Sequence, residues 1–313
     1  MFKRSIIEWI SADAYLRQQL PFLYQLLGVY SRIFFRLRPS ADHLTGGRYV
    51  LHILSTLQGK RVNQGYATIV VDKYTACIDL TDPRFLLTIN ELKRLTDTKV
   101  LSQLLEEGDT FVDVGANQGT YSIIASHLVG SIGYIVSIEP QNRLAHAIER
   151  SLAESPVTKY KVYQVAVGDH KGETTLIVPY NYSGMAGLYR NFSGLNGYYE
   201  CKVSMRRFDD LVDWKNFKGQ VLIKLDIEGS EFAFLQGASR MIDALRPTIL
   251  MELNPQALNA AGTGIVDIKE MLKSLGYRTY SEAGNPSETF SIEDLPISHQ
   301  NILLQGNKKA GFE

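Results

Sequence analysis

From Asp109 onward, short apolar runs alternate with runs of helical spacing, and this alternation limits the fold more than any other feature of the chain. Thr110-Phe-Val-Asp-Val114 reads as a strand ending at Gly115, followed by a helix over 120–128. The pattern repeats as strand 134–138, helix 141–153 and strand 160–167. It resumes with strand 221–225, helix 231–242 and strand 248–251. Helix 265–275, closed by Gly276, leads into a further strand, and 301–304 reads as the last. Strands separated by helices pair in parallel rather than as hairpins, and the helices cover both faces of the sheet. Ligands of such sheets bind beyond the carboxyl ends of the strands. Two runs, 173–178 and 199–205, read as extra strands outside the alternation. The Tyr-, Gly- and Asn-rich stretch from Tyr180 to Tyr199 is expected to form a long loop over one sheet edge.

The first part of the chain follows a different pattern. Residues 5–38 carry apolar stripes of helical spacing interrupted at Pro21, and 49–58 is helix-like. Two short strands, 67–71 and 75–80, flank an Asp72-Lys73 turn, and 86–105 returns to helical spacing. Residues 1–85 are therefore expected to be a helical N-terminal extension with a short hairpin, and 86–313 the core domain. The N-terminal helices are expected to pack on that domain or to make a homo-oligomer contact; the alternative is a helix lying on a membrane surface. No run of about 20 apolar residues is present, so no membrane span is expected. Glu8, Asp13 and Arg17 interrupt any leader-like stretch, and a cytoplasmic location is expected.

Composition narrows the partners. Lys plus Arg number 33 and Asp plus Glu 33, so no net field draws the chain to nucleic acid. Cys77 and Cys201 lie in strand-like runs without a CxxC, and read as free thiols. None of the six histidines forms a metal-ligand motif, and no metal is assigned.

Asp113-Val-Gly-Ala-Asn-Gln-Gly119 follows a strand and opens a helix. Its glycines allow a sharp turn and close approach of a ligand, and the helix-start amides form a polar cradle. The spacing is wider than the GxGxxG of dinucleotide folds, so a cofactor without a diphosphate suits it better, and Asp113 suits an ammonium group. Glu139 ends the next strand, where a carboxylate accepts hydrogen bonds from both hydroxyls of a ribose. A tight loop without a ligand is the other reading of the glycine turn. In Lys224-Leu-Asp-Ile-Glu-Gly-Ser-Glu231, Asp226, Glu228 and Glu231 crowd one strand end. Crowded carboxylates raise one another's pKa, so one can serve as a base near neutral pH. Capping of the next helix is the plainer reading for Glu228 and Glu231. Glu252 and Asn254, at the end of the following strand, are expected to face the same crevice. A hard cation on Asp226, Glu228 and Glu252 remains an alternative.

These segments resemble the FkbM-type branch of the class I S-adenosylmethionine-dependent methyltransferases. The resemblance covers about residues 86–254. It rests on Glu107-Gly-Asp-Thr-Phe-Val-Asp-Val-Gly-Ala-Asn-Gln-Gly119, Ser137-Ile-Glu-Pro140, Val165-Ala-Val-Gly-Asp169, Arg207-Phe-Asp-Asp-Leu211, Ile223-Lys-Leu-Asp-Ile-Glu-Gly-Ser-Glu231, and Arg246-Pro247 through Glu252. It implies a Rossmann-like, mainly parallel seven-stranded sheet with an antiparallel last strand. It also implies methyl transfer to oxygen, often on sugars or natural-product intermediates. Carried to this chain, Asp113, Gly115, Asn117 and Gly119 would surround the amino-acid part of S-adenosylmethionine, with Glu91 closing over its amino group. Glu139 would hold the ribose, and Ala166 and Val167 would lie near the adenine. Asp226, Glu228 and Glu252 would face the acceptor. Tyr180, Tyr182 and Tyr189 belong to the candidate acceptor lid, with Asn254 orienting the acceptor. The rivals are a binding module that transfers nothing, a methyltransferase acting on nitrogen or on RNA, and a nicotinamide oxidoreductase. The last lacks its diphosphate cradle.

Overall fold

The computed structural model describes residues 62–63, 65–82, 87–93, 95–180, 183–189 and 197–306. The expected helices over 5–38 and 49–58 lie outside these residues. The strands are β1 (Val62–Asn63), β2 (Tyr66–Val71), β3 (Tyr74–Asp79), β4 (Thr110–Val114), β5 (Tyr134–Ile138), β6 (Lys159–Tyr163), β7 (Ala166–Val167), β8 (Gly172–Pro179), β9 (Tyr198–Arg206), β10 (Val221–Leu225), β11 (Thr248–Leu253), β12 (Thr279–Glu282), β13 (Asn285–Ser291) and β14 (Gln300–Leu304). The helices are α1 (Leu87–Leu92), α2 (Leu95–Leu104), α3 (Thr120–Val129), α4 (Asn142–Leu152), α5 (Phe208–Leu211), α6 (Glu231–Gly237), α7 (Ser239–Leu245), α8 (Pro255–Ala260) and α9 (Ile265–Ser274).

The central sheet runs β13-β12-β14-β11-β10-β4-β5-β6. Strands β11, β10, β4, β5 and β6 are mutually parallel, and β14 lies antiparallel against β11. This is the Rossmann-like arrangement with an antiparallel last strand. It has eight strands rather than seven, because Asn285–Ser291 folds back on β12 as an additional edge. That edge is largely exposed and polar, so it carries no apolar alternation from which to read it.

Side-chain period two divides the core. Val112 and Val114 face one layer with Ile223, Leu225, Phe208, Phe234 and Leu272. Phe111 faces the other with Leu222, Leu250, Ile123 and Ile148. The β2–β3 hairpin, turning at Asp72 (φ 53°), joins this second layer through Ala67, Ile69, Val71, Ala76 and Ile78. Arg143 of α4 clamps it with two 2.7 Å bonds to the buried Asp79 carboxylate, and its guanidinium lies 4.4 Å from the Tyr66 ring centre.

Three expected elements are divided. The run 160–167 splits, because β6 ends the central sheet while β7 leaves to pair with β9 in a second sheet ordered β7-β9-β8. The helix over 231–242 breaks at Ala238. Asp209, buried on α5, accepts the backbone N–H groups of Arg240 and Met241 at 2.9 Å each, so α7 starts afresh on a borrowed cap. The expected helical run 86–105 is likewise two helices, α1 and α2.

Candidate functional site

At the carboxyl ends of β4, β5 and β10 lies an open cleft lined by Gly115, Asn117, Glu139 and Asp226. Its floor is the turn after β4. Gly115 has φ 80°, and a Cβ there would stand 2.0 Å from the Asp226 carbonyl oxygen, so only glycine allows β4 and β10 to approach this closely. The Gly115 and Ala116 amides both donate to the Ile138 carbonyl at 3.0 Å, which ties the turn to β5. Asn117 takes up φ 50°, a conformation that asparagine tolerates better than most side chains.

Glu139 is the best-held group in the cleft. Its two carboxylate oxygens accept the backbone N–H groups of Asn117 and Gln141, each at 2.8 Å. It is 3% exposed, and burial pushes its carboxyl up to about 7 despite those bonds. Each oxygen keeps acceptor capacity for a diol. Apolar walls come from Ile138, Val165, Ala166, Val167 and Leu176. The roof is the segment from Ser183 to Leu188. It is fastened by reciprocal Gly187–Ile177 backbone bonds of 3.0 and 3.1 Å, and by Gln141 Nε2 donating to the Ser183 carbonyl at 3.4 Å. The Tyr-rich loop thus covers the cleft with its small residues. Tyr180 and Tyr189 are exposed and stand off the lining, Tyr180 beside Tyr199 at 5.8 Å between ring centres, and Tyr182 lies outside the described residues.

Asn117 Oδ1, Ser183 Oγ and Ser230 Oγ line this cleft, are buried, and have no hydrogen-bond partner among the described residues. Buried polar atoms are ordinarily paired, so three orphans around one cavity fit a polar ligand bearing its own donors and acceptors.

Asp113 is placed otherwise than expected. It shares the Phe111 face of β4, under α3, and does not line the cleft. There it accepts the Ser122 hydroxyl at 2.6 Å, and burial raises its carboxyl. Its strand partner is Lys224 of β10, on the same face. The Lys224 ammonium lies 4.6 Å from the Tyr121 ring centre and donates to Asp226 Oδ2 at 2.8 Å. Burial alone would lower this ammonium, but Asp226, Tyr121 and Asp113 outweigh it and hold it raised. Gly119 (φ 76°) also lies outside the lining and opens α3, where a Cβ would meet Ile148 at 2.7 Å. Glu91 accepts the Thr120 hydroxyl at 2.8 Å, at the start of the same helix.

The strand-end carboxylates converge. Carboxylate oxygens of Asp226, Glu228 and Glu252 all lie within 4.8 Å of one another. Asp226 and Glu228 line the cleft, while Glu252 stands just behind it. Glu252 is partly buried beside Asp226, and that burial with the Asp226 charge raises its carboxyl to about 7. Glu228 sits at φ 53°, in a turn held by Glu231, whose carboxylate folds back on the Ile227 and Gly229 amides. Glu231 therefore builds the turn rather than facing an acceptor. Asn254 is turned away too: its Oδ1 accepts the Ala257 amide at 3.3 Å and caps α8. That helix was legible in Asn254-Pro255, a cap residue followed by proline at the first helical position. His299, 2.9 Å from Glu252 Oε1, escaped sequence reasoning because it is 47 residues away and carries no local motif.

No curated protein shows significant sequence similarity to the chain. Among solved structures it is similar to a methyltransferase FkbM from Methylobacillus flagellatus KT, at 15% identity and TM-score 0.42, covering 71% of this chain and 53% of that one, about half its length. It is similar to a SAM-dependent methyltransferase from Aquifex aeolicus, at 14% identity and TM-score 0.39, covering 72% and 94%. An rRNA methylase from Streptococcus thermophilus aligns at 11% identity and TM-score 0.36, covering 67% and 93%. The family model of the methyltransferase FkbM domain matches residues 113–279, more than half of the sequence. This chain therefore belongs to the FkbM methyltransferase domain family.

Proposed function

We propose that the chain transfers a methyl group from S-adenosylmethionine to a hydroxyl oxygen of a small acceptor of the sugar or natural-product type. The observation that carries this reading is one cleft lined both by Glu139, held by two amides, and by Asp226. Glu139 would hold the ribose, and Ile138, Ala166 and Val167 the adenine. Gly115 and Asn117, with Glu91 above the start of α3, would receive the amino-acid part. Asp113 would serve behind them, through Ser122 and Lys224.

S-adenosylmethionine, when bound, supplies an electrophilic methyl carbon on a positively charged sulfur. The chain's own part is placement and proton removal. Asp226 accepts the acceptor's hydroxyl proton as the oxygen–carbon bond forms. Glu228 and Glu252 orient the acceptor. The Lys224 ammonium and a proton shared between Asp226 and Glu252 meet the charge of the cluster, and we assign no metal. Tyr180, Tyr182 and Tyr189 offer apolar area with hydroxyls for the acceptor.

Calorimetry on the purified chain tests the donor. Heat of binding is expected for S-adenosylmethionine and for its demethylated product, and none for NAD. Absence of heat with both of the first two would end this reading. Methyl transfer to a panel of sugars, polyketides, amines and RNA then separates oxygen from nitrogen or nucleic-acid acceptors. Donor binding with no product on any of them would favour the binding module that transfers nothing.

A further inference from the structure

The mechanism leaves one question open at the strand ends, namely where the acceptor's proton goes. Asp226 is a poor terminus for it, because Lys224 sits on one of its oxygens at 2.8 Å and favours the carboxylate. Behind Asp226 a line of neighbouring polar groups leads outward. Carboxylate oxygens of Asp226 and Glu252 lie within 4.8 Å of each other, and Glu252 Oε1 lies 2.9 Å from His299 Nε2. Exposure rises outward at the last step: the Glu252 side chain is 20% exposed and that of His299 57%. The fold builds this line from three strands. Asp226 follows β10, Glu252 sits near the end of β11, and His299 immediately precedes β14. Because β14 runs antiparallel to β11, its beginning lies at the carboxyl end of the parallel strands.

We propose that Asp226, Glu252 and His299 form a proton relay that carries the acceptor's hydroxyl proton out of the cleft, with His299 the positioning residue that hands it to water. The proposal rests on the reading of Asp226 as the base. In the resting cluster one proton is shared by the two carboxyls, since neighbours this close do not both ionise. As the acceptor oxygen bonds the methyl carbon, its O–H proton passes to Asp226. The shared proton moves from Glu252 to His299 Nε2, Asp226 refills Glu252, and His299 releases a proton to solvent. The electron pair of the broken sulfur–carbon bond stays on sulfur as a neutral thioether. One proton leaves for each methyl group transferred. Burial and the Asp226 charge already hold the Glu252 carboxyl near 7, and His299 pulls it down, so the middle member exchanges protons at neutral pH.

The test uses the full chain with His299→Ala, His299→Gln and Asp226→Asn, each assayed for turnover, KM and heat of donor binding. For His299→Ala, kcat is expected to fall about tenfold or more, with donor heat and both KM values within about twofold of wild type. Imidazole added to the buffer is expected to restore turnover in a concentration-dependent way, and His299→Gln, which keeps a hydrogen bond but carries no proton, is expected to stay slow. Full turnover in His299→Ala, or a loss accompanied by loss of donor heat, or no response to imidazole, would each overturn the relay. If Asp226→Asn keeps full turnover, the base reading fails. If Asp226→Asn is slow while His299→Ala is not, only the relay fails.

Discussion

At the scale of single residues, Asp226 and Gly115 carry the most. Asp226→Asn removes the proposed base but keeps size and a hydrogen bond to Lys224. Turnover is expected to drop by about 10² to 10⁴, the usual span for a general base, with donor heat retained. A single-turnover assay beside calorimetry checks both, and unchanged turnover would remove Asp226 from the role. Gly115→Ala is expected to fail at an earlier step. The new Cβ would meet the Asp226 carbonyl at 2.0 Å and force a side chain into φ 80°. Strain of this kind costs on the order of 1–3 kcal/mol and shifts β4 against β10. The melting temperature and the donor heat should both fall. A variant that binds donor normally would show that the turn is not the floor of the site. These two positions were legible in the sequence, because a glycine after an apolar strand and a carboxylate at a strand end each announce themselves locally. Asp113 was legible as important but not as to direction: whether a strand residue faces the cleft or α3 depends on which face the helix covers.

At the scale of elements, boundaries followed local spacing until a distant group intervened. The break at Ala238 needs Asp209, some thirty positions earlier, to supply a cap that no local window contains. The departure of β7 needs β9 as partner. Asn254 offers a clean separation of roles. As a cap, Asn254→Ala should cost about 0.5–2 kcal/mol of stability and leave the KM for the acceptor unchanged. A raised acceptor KM at unchanged stability would return it to the acceptor site. The loop divides in the same way. Because Ser183 to Leu188 roofs the cleft while Tyr180 and Tyr189 stand outside it, shortening the roof is expected to weaken donor binding. Tyr180→Ala with Tyr189→Ala is expected to raise the acceptor KM and spare donor heat. Equal effects of both changes on donor heat would assign the whole loop to the donor.

At the scale of the whole molecule, three carboxyls, two buried and one half-buried, set a pH dependence. Glu139, Glu231 and Glu252 are each raised from an ordinary 4.5 to about 7, chiefly by burial. Between those values the folded chain binds more protons than the unfolded one, so stability is greatest below the lower value and is lost as pH rises through the upper. Melting temperatures of the ligand-free chain should fall from about pH 5 to about pH 8. A flat or rising curve would mean that the three carboxyls are ionised throughout. Among the described residues no helix is long and apolar enough to cross a membrane. What the sequence by itself determined is whatever depends on near neighbours: the βα alternation, the parallel sheet, the glycine turn, Glu139 at its strand end and the carboxylates around Asp226. Periodicity and turn chemistry act within a few residues and leave their mark there. The tertiary structure alone decided which groups meet: Lys224 with Asp226 and Asp113, Asp209 with α7, and His299 with Glu252. Those meetings follow from strand order and from the reversal of β14, and strand order is set by how helices pack across the sheet rather than by any short stretch of chain.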